Sequence, residues 1–135
     1  MEISKINETR VRVRYAETDQ MGVVYHANYL VWMEVGRVEL CRSLGIRYRD
    51  LESAGVLLAV VEAHCRFHAP ARYDEEVIVR TLIAESNPRL LVFEYEMKEA
   101  EQGRLLATGH TKHIFLSPAM KPIKLPSQYR PLFAP

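Results

Sequence analysis

Tyr15-Ala16-Glu17-Thr18-Asp19-Gln20-Met21-Gly22-Val23-Val24-Tyr25-His26-Ala27-Asn28-Tyr29 joins two stretches of different periodicity. Upstream, residues 9–15 set Val11, Val13 and Tyr15 against Arg10, Arg12 and Arg14. That alternation is the period of a half-buried strand. Downstream, Tyr29, Met33, Gly36, Leu40 and Leu44 recur at the spacing of one helical face. The predicted helix covers residues 29–44, with Asn28 as its N-cap and Gly45 as its left-handed stop. Leu30, Val31, Trp32, Val35, Val38 and Cys41 carry apolar character beyond that face. A helix of this kind is expected to be covered on more than one side, by a sheet that curves around it.

Beyond the helix, a short helical turn over residues 49–54 stops at Gly55, and the pattern then becomes almost all strand. Residues 56–69 open apolar and then alternate, 76–84 are rich in β-branched residues, and 90–98 and 105–116 follow after turns at 86–89 and Gln102-Gly103. Short turns predict antiparallel neighbours. Pro118, Pro122, Pro126, Pro131 and Pro135 argue against regular structure in the final segment. The expected fold is α+β, a five-stranded antiparallel sheet wrapped around one long central helix. At 135 residues the chain is expected to be a single domain, 1–135.

Composition narrows the function classes. Hydrophobic residues are 48% and charged residues 26%, the balance of an ordinary folded domain. Lys plus Arg number 18 and Asp plus Glu 17, a formal charge of +1, so no global field recruits nucleic acid or an anionic membrane. Residues 1–10 hold no apolar run that reads as a signal peptide, and no stretch of about 18 apolar residues predicts a membrane span. Cys41 and Cys65 match no metal-ligand spacing and cannot staple a secreted scaffold. A reducing, cytoplasmic setting is the expectation.

The loop carries the chemistry. Asp19 follows a strand directly, Gly22 allows a sharp turn, and residues 25–28 lie where the long helix begins. Unpaired N–H groups and the helix dipole favour negative charge there. Such N–H groups stabilise the oxyanion of a polarised carbonyl. A nearby carboxylate either activates water as a general base or attacks the carbonyl itself. An ordinary carboxylate is a weak base at neutral pH, which suits an activated acyl group such as a thioester better than an amide. Taken alone, a loop Asp reads first as a turn or cap residue.

The run Thr18-Asp19-x-x-Gly22-Val23-Val24-Tyr25-His26-x-Asn28-Tyr29, with the apolar helix behind it, closely resembles the 4-hydroxybenzoyl-CoA thioesterase-like branch of the hotdog-fold acyl-CoA thioesterases. Pro70-Ala71-Arg72-Tyr73-Asp74-Glu75 is similar to that family's turn between its second and third strands, and the Pro-rich ending from Lys121 is similar too. The resemblance implies a hotdog fold and hydrolysis of an acyl-CoA, or acyl-carrier-protein, thioester, with no cofactor or metal. It implies Asp19 as catalytic aspartate and the His26 backbone N–H as the donor to the thioester carbonyl. Tyr25, Ala27 and Asn28 would shape the entrance. It also implies a homodimer, often doubled to a homotetramer, with the active site between subunits.

Other residues receive plainer readings. The His26 ring is expected to bind the thioester oxygen, to hold Asp19 or only to fill space. Glu34, a rival carboxylate on the helix, is expected to form an i,i+3 ion pair with Arg37 or a polar interface contact. Glu17 reads as a solvated neighbour of Asp19. His64, Arg66 and His68, and likewise His110 and Lys112, read as solvated or dimer-facing surface rather than metal ligands. Coenzyme A brings phosphates, for which Arg72, Arg89 and Lys112 are the candidate cations. Two alternatives stay open: an enoyl-thioester hydratase or dehydratase on the same fold, and a non-catalytic acyl-CoA sensor. The sensor class usually adds a DNA-binding segment, for which 135 residues leave no room.

Overall fold

The computed structural model describes residues 5–135; residues 1–4, the start of the polar opening stretch, lie outside the described residues. The elements are β1 (Ile6–Arg12), α1 (Ala27–Ser43), α2 (Tyr48–Ser53), β2 (Leu57–Phe67), β3 (Glu76–Asn87), β4 (Leu90–Glu99) and β5 (Leu105–Leu116). The five strands make one antiparallel sheet in the order β1-β3-β4-β5-β2. The predicted α+β architecture is present, with α1 lying across the sheet's inner face.

Alternation decides which face that is. Val77, Val79, Thr81 and Ile83 of β3 and Leu91, Phe93, Tyr95 and Met97 of β4 are buried, while Arg80 and Glu94 between them are exposed. The helical stripe answers them with Tyr29, Met33, Gly36 and Leu40, all buried. Gly36 is where the helix comes closest: a Cβ there would stand 2.3 Å from Thr81 Oγ1 and 2.9 Å from Val79 Cγ1. Gly109 on β5 makes room in the same way for Met33, whose Cε would lie 2.7 Å from an added Cβ. Gly45, at φ +87°, ends the helix as expected.

Several expectations are corrected. β2 and β3 are not a hairpin: β2 pairs with β5, and residues 68–75 carry the chain across to β3. Pro70, and Asp74 in the left-handed region, make this connection longer than a tight turn. β1 ends at Arg12, and Tyr15 is not on its buried face: it is 78% exposed in a 3-10 turn, Tyr15–Glu17, drawn in by the Arg14 N–H donating to Glu17 Oε1 at 2.8 Å. The helix starts two residues early, and Asn28 lies inside its first turn rather than capping it; His26, already in helical backbone geometry, occupies the cap.

The helix is not covered on every side within one chain. Leu30 and Val31 are 44% and 51% exposed on the flank facing β2, whose outer edge is unpaired among the described residues. The Pro-rich ending holds one regular turn, Arg130–Phe133, with proline at its start, where the missing N–H costs nothing. Its Phe133, with Leu125, is fully packed into the core. Both cysteines are free thiols, and burial pushes Cys41 up to about 12.

Candidate active site

The loop between β1 and α1 is pinned at both ends and along its length. Thr18 pairs with Val24 and Val23 with Arg72 as isolated bridges. The Asp19 N–H donates to Val23 O at 2.9 Å and the Gly22 N–H to Asp19 O at 3.0 Å, with Gly22 at φ +80°. Asp19 Oδ1 accepts the Met21 N–H at 2.9 Å. The turn reading of Asp19 is therefore correct for one oxygen. Oδ2 has no hydrogen bond among the described residues, and the side chain is only half-buried.

Glu17 is not the solvated neighbour of Asp19 that its place in the loop suggests. It is 5% exposed rather than solvated, because its carboxylate is fully occupied. Oε1 accepts the Arg14 N–H at 2.8 Å, and Oε2 accepts the indole N–H of Trp32 on α1 at 3.1 Å. Its carbonyl takes the Tyr25 N–H at 2.8 Å and the Asn28 Nδ2–H at 2.9 Å. One residue thus ties β1, the Asp19 loop and the helix start into one unit, and Asn28 shapes the entrance through it. The signal for this was a carboxylate fifteen residues ahead of the chain's one tryptophan, which no local pattern marks.

At the helix entrance the Asn28 N–H donates to Tyr25 O and the Tyr29 N–H to His26 O, at 2.9 and 3.2 Å. The backbone N–H groups of His26 and Ala27 find no acceptor among the described residues. They are the unmet donors that a helix N-terminus supplies. The His26 ring is exposed, tilted on Tyr25 at 4.5 Å and edge-on to Phe67 at 6.3 Å. It bonds to neither Asp19 nor any other described side chain.

Asp19 and His26 face one hollow of about 330 Å³, whose other walls include Val24, Tyr29, Phe67 and His68. Tyr29 is buried at its base, and burial raises its phenol pKa; the neutral hydroxyl oxygen accepts the Ala71 N–H at 3.3 Å. No contiguous pattern in the sequence marks the wall that the end of β2 contributes. His68 is exposed, as expected of a solvated or dimer-facing residue, and it also lines this hollow and bonds Thr108 Oγ1 at 2.8 Å.

Of the remaining candidates, Arg72 stands beside the loop through its bridge to Val23, with its side chain exposed. Arg89 is not brought to the hollow: it sits in the β3–β4 turn, at the opposite end of the sheet. Glu34 and Arg37 form no ion pair. His64 and His110 stack at 5.3 Å on the outer face, where Glu62 Oε1 accepts from His110 Nε2 at 3.0 Å. They border a hollow of about 430 Å³ with Arg80 and Glu94, larger than the first but walled by cross-strand charges and on the face away from the helix. No three His, Cys, Asp or Glu among the described residues gather as a metal site.

The sequence family described as the thioesterase-like superfamily matches residues 13–128. The chain belongs to it. Members similar to this thioesterase-family chain include the acyl-CoA thioester hydrolase YbgC of Escherichia coli, 34% identical over 117 residues, 86% of this chain and 87% of that protein. A DHNA-CoA thioesterase from Staphylococcus aureus superposes with a TM-score of 0.87 at 36% identity, covering 93% of this chain and 84% of its own. The 4-hydroxybenzoyl-CoA thioesterase of Pseudomonas sp. strain CBS-3, at 19% identity and 96% and 99% coverage, has the same fold with a TM-score of 0.86. The hotdog architecture expected from the loop motif is therefore the one this family uses.

Proposed function

We propose that this chain hydrolyses the thioester bond of an acyl-CoA, with Asp19 as the catalytic carboxylate. One observation carries the reading: a carboxylate with a free oxygen borders the same hollow as His26, the first residue of a helix start whose His26 and Ala27 N–H groups are unmet. A thioester carbonyl held at the entrance accepts from the His26 and Ala27 N–H groups, which stabilise the oxyanion as the carbon becomes tetrahedral. Asp19 either takes a proton from the attacking water or attacks the carbon itself, forming a mixed anhydride that water then opens. Collapse of the tetrahedral species breaks the C–S bond, and the leaving thiolate takes up a proton from the attacking water. The acid is freed in that step on the general-base route, or when water opens the anhydride.

Arg72, beside the loop, is a cation for the coenzyme phosphates. Arg89 takes that role only if a second copy of the chain brings it to the hollow. The open edge of β2, with Val60, Val61 and Phe67 about half exposed, and the bare Leu30–Val31 flank of α1 support a homodimer built along this side. No described helix is long and apolar enough to cross a membrane. Two free cysteines suit a reducing cytoplasm. Acyl-carrier-protein thioesters share the reacting bond and stand as alternative substrates.

The isolated His26 ring argues against a hydratase, which needs a carboxylate and a histidine working as an acid–base pair. Incubation with saturated and enoyl-CoA thioesters separates the readings. Free thiol should appear while the enoyl absorbance falls no faster than thiol is released. Loss of enoyl absorbance without thiol would overturn the hydrolase assignment.

A further inference from the structure

A third hollow, about 260 Å³, lies farther along the flank of α1 that faces β2. Its walls are largely apolar, from Leu30, Val31, Val60 and Ala63, with exposed Glu34 and half-buried Arg37, beside Thr111, as its charged members. The Arg37 Nε is sealed from solvent and has no hydrogen-bond partner. None of the ion pairs among the described residues includes Arg37, although Glu34 stands one turn away.

The Tyr48 and Tyr95 hydroxyls lie near enough to feel the guanidinium as a donor, but its Nε stays without a partner. Its charge acts on Tyr48, Tyr95 and His113, the groups packed between α1 and the sheet. Thr111 Oγ1 is already engaged by the Tyr95 hydroxyl at 2.6 Å and by His113 Nε2 at 2.8 Å. The Tyr48 hydroxyl and His113 Nδ1 are themselves unpartnered. His113 is neutral, its imidazole pushed down to about 3 by burial and by the Arg37 charge. A guanidinium turned toward an apolar hollow with an unmet donor is costly to keep, and it matches oxygen acceptors in a fixed fork.

Arg37 follows His26 by about 16 Å of helix axis, and helical side chains lean back toward the N-terminus. An acyl chain held by its carbonyl at the helix entrance would run along Leu30 and Val31 toward it. We infer that this hollow takes the far end of the acyl group, and that Arg37 selects chains ending in an oxygen acceptor, a carboxylate or hydroxyl, over plain hydrocarbon. This inference rests on the thioesterase reading and names the substrate class for the same site.

The test compares octanoyl-, ω-hydroxyoctanoyl- and ω-carboxyheptanoyl-CoA, with the matching dodecanoyl set, by kcat/KM for thiol release. For wild-type protein, the polar-ended thioesters are expected to exceed the plain ones by roughly ten- to a hundredfold at the length that reaches Arg37. In Arg37→Met the ratio falls to near one, and Arg37→Lys keeps part of the carboxylate preference. Wild-type protein without the preference, or an Arg37→Met ratio equal to wild type, overturns the inference. So does dissociation of an oligomer in Arg37→Met with equal losses on every substrate, which would give the guanidinium to a carboxylate of a second copy. If wild-type protein releases thiol from none of them, the hydrolase reading falls, and calorimetric binding of the same thioesters still decides the role of Arg37. Should Arg37→Met fail to fold, the wild-type ratio and Arg37→Lys give the answer.

Discussion

Replacing Glu17 with Gln keeps the side chain's shape and removes one acceptor from the joint between loop and helix. Its two carboxylate oxygens serve two different donors, the Arg14 N–H and the Trp32 indole N–H. An amide has one oxygen, so in Glu17→Gln one of these donors must face an NH2 group. The loss is one charge-assisted bond, roughly 1.5–3 kcal/mol, with an unmet buried N–H added. A total near 3 kcal/mol is expected, because the site is 5% exposed and water has little access to substitute. Urea unfolding followed by Trp32 fluorescence reads this directly, and the midpoint should fall by roughly 1–2 M. A loosened loop also misplaces Asp19, so kcat per folded molecule should drop by at least about tenfold while substrate affinity changes little. An unchanged midpoint together with unchanged kcat would show that the backbone bonds around Asp19 hold the loop without Glu17.

Other expectations concern the helix–sheet contact, pH and assembly. Gly36→Ala would gain about 1 kcal/mol of helix propensity, but its Cβ would stand 2.3 Å from Thr81 Oγ1. Overpacking of roughly 1–3 kcal/mol should win, lowering the thermal midpoint. A raised midpoint would refute the close approach. The buried His113 titrates near 3 when folded, against an ordinary value of 6.5. The unfolded chain therefore binds its proton first. Its contribution to stability is complete above the unfolded value and is lost as pH falls from there toward 3, at up to about 1.4 kcal/mol per pH unit. Urea midpoints across that range in wild type and His113→Asn should differ in slope, and parallel curves would contradict this. Val61, at the register shift opposite β5 and 52% exposed, should tolerate Lys in a single chain. Val61→Lys is expected to halve the mass measured in solution and to reduce thiol release. An unchanged mass would move the interface elsewhere.

The helical stripe and the strand alternation were legible because each element buries one face, so period alone reveals it. The crossing of residues 68–75 was not legible, since which strand becomes whose neighbour depends on how the sheet closes on α1. Asp19 and the entrance at His26 were legible as a contiguous block. Glu17, Phe67, His68 and Arg37 were not, because each gains its meaning from partners on other elements. Glu17 needs Trp32, Phe67 and His68 need the helix start, and Arg37 needs a carboxylate that never arrives. The apolar spread of α1 reads as coverage on more than one side by a curving sheet, but within one chain Leu30 and Val31 remain uncovered.

The most direct measurement is steady-state thiol release by Asp19→Asn, alongside calorimetric binding of an acyl-CoA. Asn still accepts the Met21 N–H through its amide oxygen, so the loop keeps its turn, while the basic and nucleophilic oxygen is gone. The expected result is turnover lowered by roughly 10²–10⁴-fold with binding intact. Turnover within about twofold of wild type would place the chemistry outside this loop.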